Sequence, residues 1–108
     1  MRAALARTPS LADRLFTVGE REYCERRRDP SERFAARFAA KEATLKAMGL
    51  GLGACRWHDI EVLRAESGEP SLRLTGAAAA LADERGIQRW LLTMSHTATV
   101  AEAVAIAL

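Results

Sequence analysis

The chain has 108 residues, of which 49% are hydrophobic and 28% are charged, and its formal net charge is +2. This length predicts a single domain, residues 1–108, with a core small enough that oligomerisation would add to its stability. No apolar run approaches the roughly 18 residues of a membrane span, and the short, polar N-terminal segment does not resemble a signal peptide. The composition predicts a cytoplasmic protein without a membrane partner.

The arginines are concentrated in the first third of the chain, at positions 2, 7, 14, 21, 26, 27, 28, 33 and 37. Arginine suits the planar recognition of carboxylates and phosphates. Acidic residues are interleaved with these cations, as expected of a solvated helical surface. Nucleic-acid binding is disfavoured, because it would prefer an unneutralised basic face, whereas an acidic protein partner fits the pattern. Cys24 and Cys55 lie far apart and predict free thiols.

The first elements are predicted to be short helices. Residues 1–7 have a helical pattern that Thr8-Pro9-Ser10 interrupts, and Ser10 can cap a short helix through Phe16. Thr17 followed by Glu20 forms a capping-box pattern, which predicts a helix from Val18 to about Arg27.

A long central helix is predicted to begin at Pro30 or Ser31. Its bulky apolar residues form one stripe on a helical wheel and its alanines form an opposite face, so both sides of the helix should be buried. Lys41 falls within the bulky stripe, Arg37 and Glu42 lie at its edges, and Lys46 lies one turn beyond Glu42. Charges in such positions need partners. Periodicity alone favours a structural interpretation, in which the cations reach past the core and Glu42 pairs with Lys46.

The second half of the chain predicts strands. Gly49, Gly51 and Gly53 end the central helix, and this role is favoured over a phosphate-binding loop. The remaining pattern predicts a hairpin of a strand at 57–64 and one around Leu72 and Leu74, a helix at 77–84, and strands at 87–95 and 100–108. The predicted fold class is α+β, with a long central helix and shorter helices packed on an antiparallel sheet.

Residues 37–49 read R-F-A-A-K-E-A-T-L-K-A-M-G. They closely resemble the R-F-A-x-K-E-A-x-x-K-A-x-G signature of the holo-acyl-carrier-protein synthases, which are small 4'-phosphopantetheinyl transferases. The similarity continues in the family's order through W-H-D-I-E-V at 57–62, S-G-E-P at 67–70, L-T-G-A at 74–77 and W-L-L-T-M-S-H at 90–96. It covers nearly the whole chain, and the S-H element at the family's distance makes it far more specific than the K-E-A-x-x-K pattern alone.

The resemblance implies a transferase of fatty acid biosynthesis and lipid metabolism. Its reaction moves 4'-phosphopantetheine from coenzyme A to a serine of apo acyl carrier protein, which requires cations around a diphosphate and a hard ion such as Mg²⁺. By resemblance, Glu42 is the metal ligand, and Glu42 and Lys46 are the catalytic residues, with Lys46 on the diphosphate. Arg37 and Lys41 would bind the nucleotide phosphates or pair with acidic neighbours.

Other residues complete the site that the resemblance implies. His96 would contact a coenzyme phosphate, with Thr93 and Ser95 as further candidates, and Gly49 belongs to the coenzyme-binding loop. His58 has no such support and is interpreted as structural. The family docks its acidic carrier protein through arginines of the first helix, for which Arg2, Arg7 and Arg14 are the counterparts here. The family also forms homotrimers, which implies an active site shared between subunits.

One part of the family's pattern has no counterpart in this sequence. Members begin with a strand that reads G-x-D-x-x-x-x-x-R, and its aspartate is the second carboxylate on the metal. The chain as given is therefore expected to transfer phosphopantetheine poorly. Two interpretations from other classes stay open at this point, namely a non-catalytic coenzyme A or carrier-protein binding module of the same fold and a small basic nucleic-acid binder.

Overall fold

The computed structural model describes the backbone of all 108 residues and every side chain except that of Arg2. In chain order, its elements are α1 (Arg2–Arg7), α2 (Leu11–Leu15), α3 (Val18–Cys24), α4 (Ser31–Ala47), a 3-10 turn (Trp57–Asp59), β1 (Ile60–Arg64), β2 (Pro70–Leu74), α5 (Gly76–Glu84), β3 (Trp90–His96) and β4 (Ala101–Ala107). The predicted α+β class is confirmed. None of the described helices has the length and apolar content of a bilayer-spanning helix.

The strands form two antiparallel hairpins instead of the single sheet that the sequence predicted. β1 pairs with β2 in a register that places Val62 opposite Leu72, and β3 pairs with β4 so that Met94 lies opposite Ala103. Both hairpins contact α4, which therefore connects the two halves of the sheet layer. Ala103 lies on the β4 face that packs toward the core, whereas Val104 lies on the opposite, exposed face.

Helix α4 lies at the centre of the core. Phe34 packs with residues of α2 and α3, Ala40 packs with β1 and β3, and Leu45 packs with Ile60 and Ala78. The bulky stripe is thus largely buried, as the helical wheel predicted. The alanine face is buried only in part, because Ala39 and Ala43 are half-buried and Ala47 is exposed.

Several predicted boundaries were wrong for local reasons. The strand predicted from Trp57 begins at Ile60, because residues 57–59 form a 3-10 turn. Helix α3 ends at Cys24 instead of Arg27, and β3 spans Trp90–His96 instead of 87–95. The Ser10 side chain makes no capping hydrogen bond. In contrast, the capping box of α3 is formed, since Thr17 and Glu20 exchange their two hydrogen bonds.

Candidate functional site

Glu42 and Lys46 lie one turn apart on α4 and share an open cavity. The cavity has a volume of about 410 Å³ and extends from α4 to the first residues of β4, including Glu102. Both side chains also line a smaller cavity beside the loop that follows α4. Glu42 is half-buried, Lys46 is exposed, and neither forms an ion pair with another described side chain. The Glu42–Lys46 pair predicted from periodicity is absent, so both charges are available to a ligand.

The loop beside this cavity begins with a glycine-dependent helix end. Gly49 has φ 72°, and the N–H groups of Gly49 and Leu50 donate to the carbonyls of Lys46 and Leu45 at 2.9 Å each. This is the Schellman arrangement, which favours glycine at the left-handed position. The loop residues that line the cavity are Leu50, Gly51 and Leu52. Gly49 ends the helix and is not part of the lining.

Lys41 is fully buried, and its ammonium group has three acceptors. The Nζ atom donates to Glu20 Oε1 at 2.7 Å, to the carbonyl of Trp57 at 2.9 Å and to that of Ile60 at 2.5 Å. Burial lowers the pKa of the ammonium, and the Glu20 carboxylate acts in the opposite direction. Of the two roles predicted for Lys41, the structure therefore shows the acidic pair, and no ammonium proton is left for a coenzyme phosphate.

Glu20 is the partner that the sequence did not identify. Beyond its capping bond, its carboxylate accepts hydrogen bonds from Lys41 and from the N–H of Val62, the latter at 2.9 Å. One buried carboxylate thus joins α3, α4 and β1. The capping-box pattern predicted the local bond, but no local pattern indicates contacts 21 and 42 residues away. By fixing Lys41 toward the core, this pair leaves the neighbouring Glu42 on the cavity side of α4.

Arg37 also lies away from the cavity of Glu42. It is only 2% exposed, its Cζ lies 4.4 Å from the centre of the Tyr23 ring, and its Nη1 donates to the carbonyl of Arg33 at 3.2 Å. The structure therefore does not bring Arg37 together with Glu42 and Lys46.

His96 ends β3 close to the N-terminal end of α4. Its Nδ1 lies 3.9 Å from Glu32 Oε2, and Glu32 precedes Glu42 by ten residues, which is about 15 Å along a helix axis. Thr93 and Ser95 are exposed and alternate with the core-facing residues of β3. Within one chain, His96 thus lies near the N-terminal end of α4, whereas Glu42 and Lys46 lie in its C-terminal half. Ser95 and Thr93 pair across the hairpin with Glu102 and Val104, which line the cavity of Glu42.

The arginines predicted to dock a carrier protein are only partly described. Arg7 and Arg14 are exposed on α1 and α2, whereas the side chain of Arg2 lies outside the described residues.

His58 Nε2 lies 2.5 Å from the carbonyl of Asp13, a contact that joins the 3-10 turn to α2 and agrees with the structural role predicted for it. Cys24 and Cys55 are free, as predicted.

The carboxylates of the cavity determine how a metal would be held. The described residues contain no group of three or more His, Cys, Asp or Glu side chains placed to bind an ion. Asp13 pairs with Arg21, and Glu20 is buried with Lys41, so neither lies beside Glu42. Glu102 does line the cavity with Glu42, although in the sequence it only interrupts an alternating strand. Mg²⁺ often takes one or two protein carboxylates and completes its shell with phosphate oxygens and water, so Glu42 fits its chemistry. Glu102, on the same face of β4 as Val104, is a second carboxylate at the edge of the cavity.

Similarity to known proteins shows the family to which the chain belongs. A family model of the 4'-phosphopantetheinyl transferase superfamily matches residues 2–105. The chain belongs to this superfamily. It is 49% identical over 108 residues to a holo-[acyl-carrier-protein] synthase of Desulforudis audaxviator, covering 99% of this chain and 82% of the relative. A synthase of the same name from Streptomyces griseus is 50% identical over 105 residues, covering 97% and 85% of the two chains.

Solved structures of the superfamily have the same fold. The holo-[acyl-carrier-protein] synthase of Neisseria meningitidis matches with a TM-score of 0.86 and 30% identity, covering 99% of this chain and 86% of that one. The Helicobacter pylori synthase, solved in complex with coenzyme A, matches with a TM-score of 0.85 and 27% identity, covering 98% and 89%.

Proposed function

We propose that the chain is a holo-acyl-carrier-protein synthase. It transfers the 4'-phosphopantetheine group of coenzyme A to a serine hydroxyl of apo acyl carrier protein and releases adenosine 3',5'-bisphosphate. The observation that carries this proposal is the pair Glu42 and Lys46, because both belong to the family's signature and both face one open cavity without an ion-pair partner. We place the enzyme in the cytoplasm and in fatty acid biosynthesis.

The residues of the cavity suit phosphoryl transfer. The reaction needs positive charge around the diphosphate, and the exposed ammonium of Lys46 supplies it beside the leaving bisphosphate. Glu42, with Glu102 as the further carboxylate of the cavity, would hold a Mg²⁺ ion. When bound, Mg²⁺ neutralises charge on the diphosphate. Leu50 and Leu52 border the same region and provide apolar surface for the coenzyme.

The proposed enzyme acts as a homotrimer whose active site is shared between subunits. His96 lies beside Glu32, which is about 15 Å along α4 from Glu42, and we infer that a neighbouring chain supplies the His96 that completes the site. The outer face of the β3–β4 hairpin supports such an assembly, because Leu91, Val104 and Ile106 are about half exposed there. Arg7 and Arg14 on the exposed surface of α1 and α2 are suited to an acidic carrier protein.

A non-catalytic module that binds coenzyme A or the carrier protein is the second candidate. The small number of metal ligands favours it, because the cavity has two carboxylates and the described residues contain no group of three metal-binding side chains. One experiment distinguishes the two proposals. The purified chain is incubated with apo acyl carrier protein, coenzyme A and Mg²⁺, and the mass of the carrier protein is measured by mass spectrometry. In parallel, calorimetry measures the binding of coenzyme A to the chain. An added phosphopantetheine mass establishes the synthase. Coenzyme A binding without any mass change establishes the module, and the absence of both contradicts each proposal.

A further inference from the structure

Four arginines surround the ring of Tyr23 on the side of α4 opposite Lys46. Their guanidinium carbons lie 4.3 to 5.8 Å from the ring centre, in the order Arg33, Arg37, Arg26 and Arg64. They come from three parts of the fold, since Arg26 follows α3, Arg33 and Arg37 belong to α4, and Arg64 ends β1. Cation–π attraction holds each guanidinium near the ring, but it does not neutralise four like charges.

Three of these arginines line a cavity of about 230 Å³. Arg26, Arg37 and Arg64 form its basic part, with Tyr23, Gly19 and Glu61 on the remaining sides. No residue of this lining belongs to the cavities at Glu42 and Lys46, so the two regions are separate.

The acidic residue of this cavity is already engaged. Glu61 accepts hydrogen bonds from Arg73 and from the Thr17 hydroxyl, so its charge is compensated from outside the cavity. The three lining arginines therefore leave an excess of positive charge in a partly enclosed space. Gly19 borders this wall, and a Cβ atom added there would come within 3.2 Å of the Glu61 carboxylate.

Arg37 lines this cavity and has a buried donor without a hydrogen-bond partner among the described residues. The residue is 98% buried, and the donor is its Nε atom. An unsatisfied charged donor in a protein interior is costly. Burial lowers the pKa of Arg37, Cys24 and Tyr23 act in the opposite direction, and the positive charge of Arg64 adds a smaller lowering. An anion in the cavity would relieve both the unsatisfied donor and the crowding of cations.

We propose that this arginine–tyrosine cavity binds a phosphate group, either as inorganic phosphate or as a phosphate monoester. Guanidinium groups match the geometry of phosphate oxygens and bind them through paired, charge-assisted hydrogen bonds. A carboxylate would offer one charge and two oxygens to three guanidiniums, whereas a phosphate offers two charges and at least three oxygens. Arg64 is restrained for this role, because its Nη1 donates to the carbonyl of Gly68.

The test follows the Arg37 Nε–H signal by nitrogen-15 NMR during a titration with inorganic phosphate at constant ionic strength, with affinity measured by calorimetry. The variants Arg26→Gln and Arg64→Gln remove one lining cation each from exposed positions, and Arg27→Gln makes the same charge change at a neighbour outside the lining. We expect the Arg37 signal to move to saturation in the wild type. Affinity should fall by about tenfold or more in each lining variant and by less than about twofold in Arg27→Gln.

Two further titrations identify the source of the phosphate group and test whether the site is independent of coenzyme A binding. Phosphoserine replaces inorganic phosphate in one titration, and tighter binding of either compound assigns the source of the phosphate group. Excess coenzyme A is added in the other, where the phosphate response of Arg37 should persist. The proposal is overturned if the Arg37 signal does not respond, if Arg27→Gln weakens binding as much as the lining variants, or if coenzyme A abolishes the response.

Discussion

The two lysines of α4 have opposite environments. The Lys41 ammonium is buried with a carboxylate and two carbonyls, whereas the Lys46 ammonium is exposed beside Glu42. Only the second has protons to offer a diphosphate. The same residue type thus has a structural role at one position and a proposed catalytic role five residues later, and the difference arises from which side of the helix each occupies.

This difference predicts that the same substitution destabilises the fold at Lys41 and has little effect on stability at Lys46. Lys41→Met leaves the buried Glu20 carboxylate without its cation, so we expect the free energy of unfolding to fall by about 3–5 kcal/mol. Lys46→Met is the matched control, because it removes an exposed charge and should change stability by no more than about 0.5 kcal/mol. Urea unfolding of both variants provides the comparison. A Lys41→Met variant as stable as the control would show that the buried pair does not stabilise the fold.

At the scale of elements, the fold was predictable where a local pattern determines the structure. The apolar periodicity of α4, the capping box of α3 and the alternation of β4 each produced the expected element. The strand predicted from Trp57 was wrong at its start, because alternation does not distinguish an extended segment from a 3-10 turn over three residues. A single predicted sheet became two hairpins, because the choice of strand neighbours depends on packing against α4.

The sequence likewise predicted only part of the site. Glu42 and Lys46, to which the signature assigns the catalytic roles, line one cavity, while the burial of Lys41 depends on Glu20, which lies 21 residues earlier in the chain. No local pattern relates Glu102 to Glu42, since their place at one cavity depends on how β4 packs against α4. Contacts between distant segments are the part that local pattern could not provide.

The edge of β4 that is not paired with β3 is a place where a further strand could bind. β4 pairs only with β3 among the described strands, and its first residues border the cavity of Glu42. A preceding segment with the family's G-x-D strand, paired along this edge, would place an aspartate near Glu42 and add a ligand for Mg²⁺.

We therefore expect an extended chain carrying that segment to need at least about tenfold less Mg²⁺ for half-maximal transfer than the chain as given. The measurement is a Mg²⁺ titration of both chains, with an extended variant in which the aspartate is changed to asparagine as the control. Equal Mg²⁺ dependence in the three proteins would show that Glu42 and Glu102 suffice.

At the scale of the whole molecule, the exposed apolar face of the β3–β4 hairpin predicts self-association. Val104→Glu places a charge in that face, so we expect the trimer to dissociate and transfer to be lost with it, because His96 and Glu42 then no longer meet. Val18→Glu is the matched control, since Val18 is 60% exposed and Val104 is 57% exposed, but Val18 lies on α3. Sedimentation at micromolar concentration measures the outcome, and a wild-type chain that sediments only as a monomer would contradict the shared site.

If phosphopantetheine transfer takes place in the cavity of Glu42 and Lys46, it depends on the Glu42 carboxylate. The most direct measurement compares Glu42→Gln with the wild type in the mass-detected transfer assay, and Glu84→Gln on the exposed side of α5 is the control for the charge change. We expect Glu42→Gln to lower the transfer rate by at least about a hundredfold at fixed Mg²⁺, while Glu84→Gln stays within about twofold of the wild type. Transfer by Glu42→Gln at the wild-type rate would contradict it.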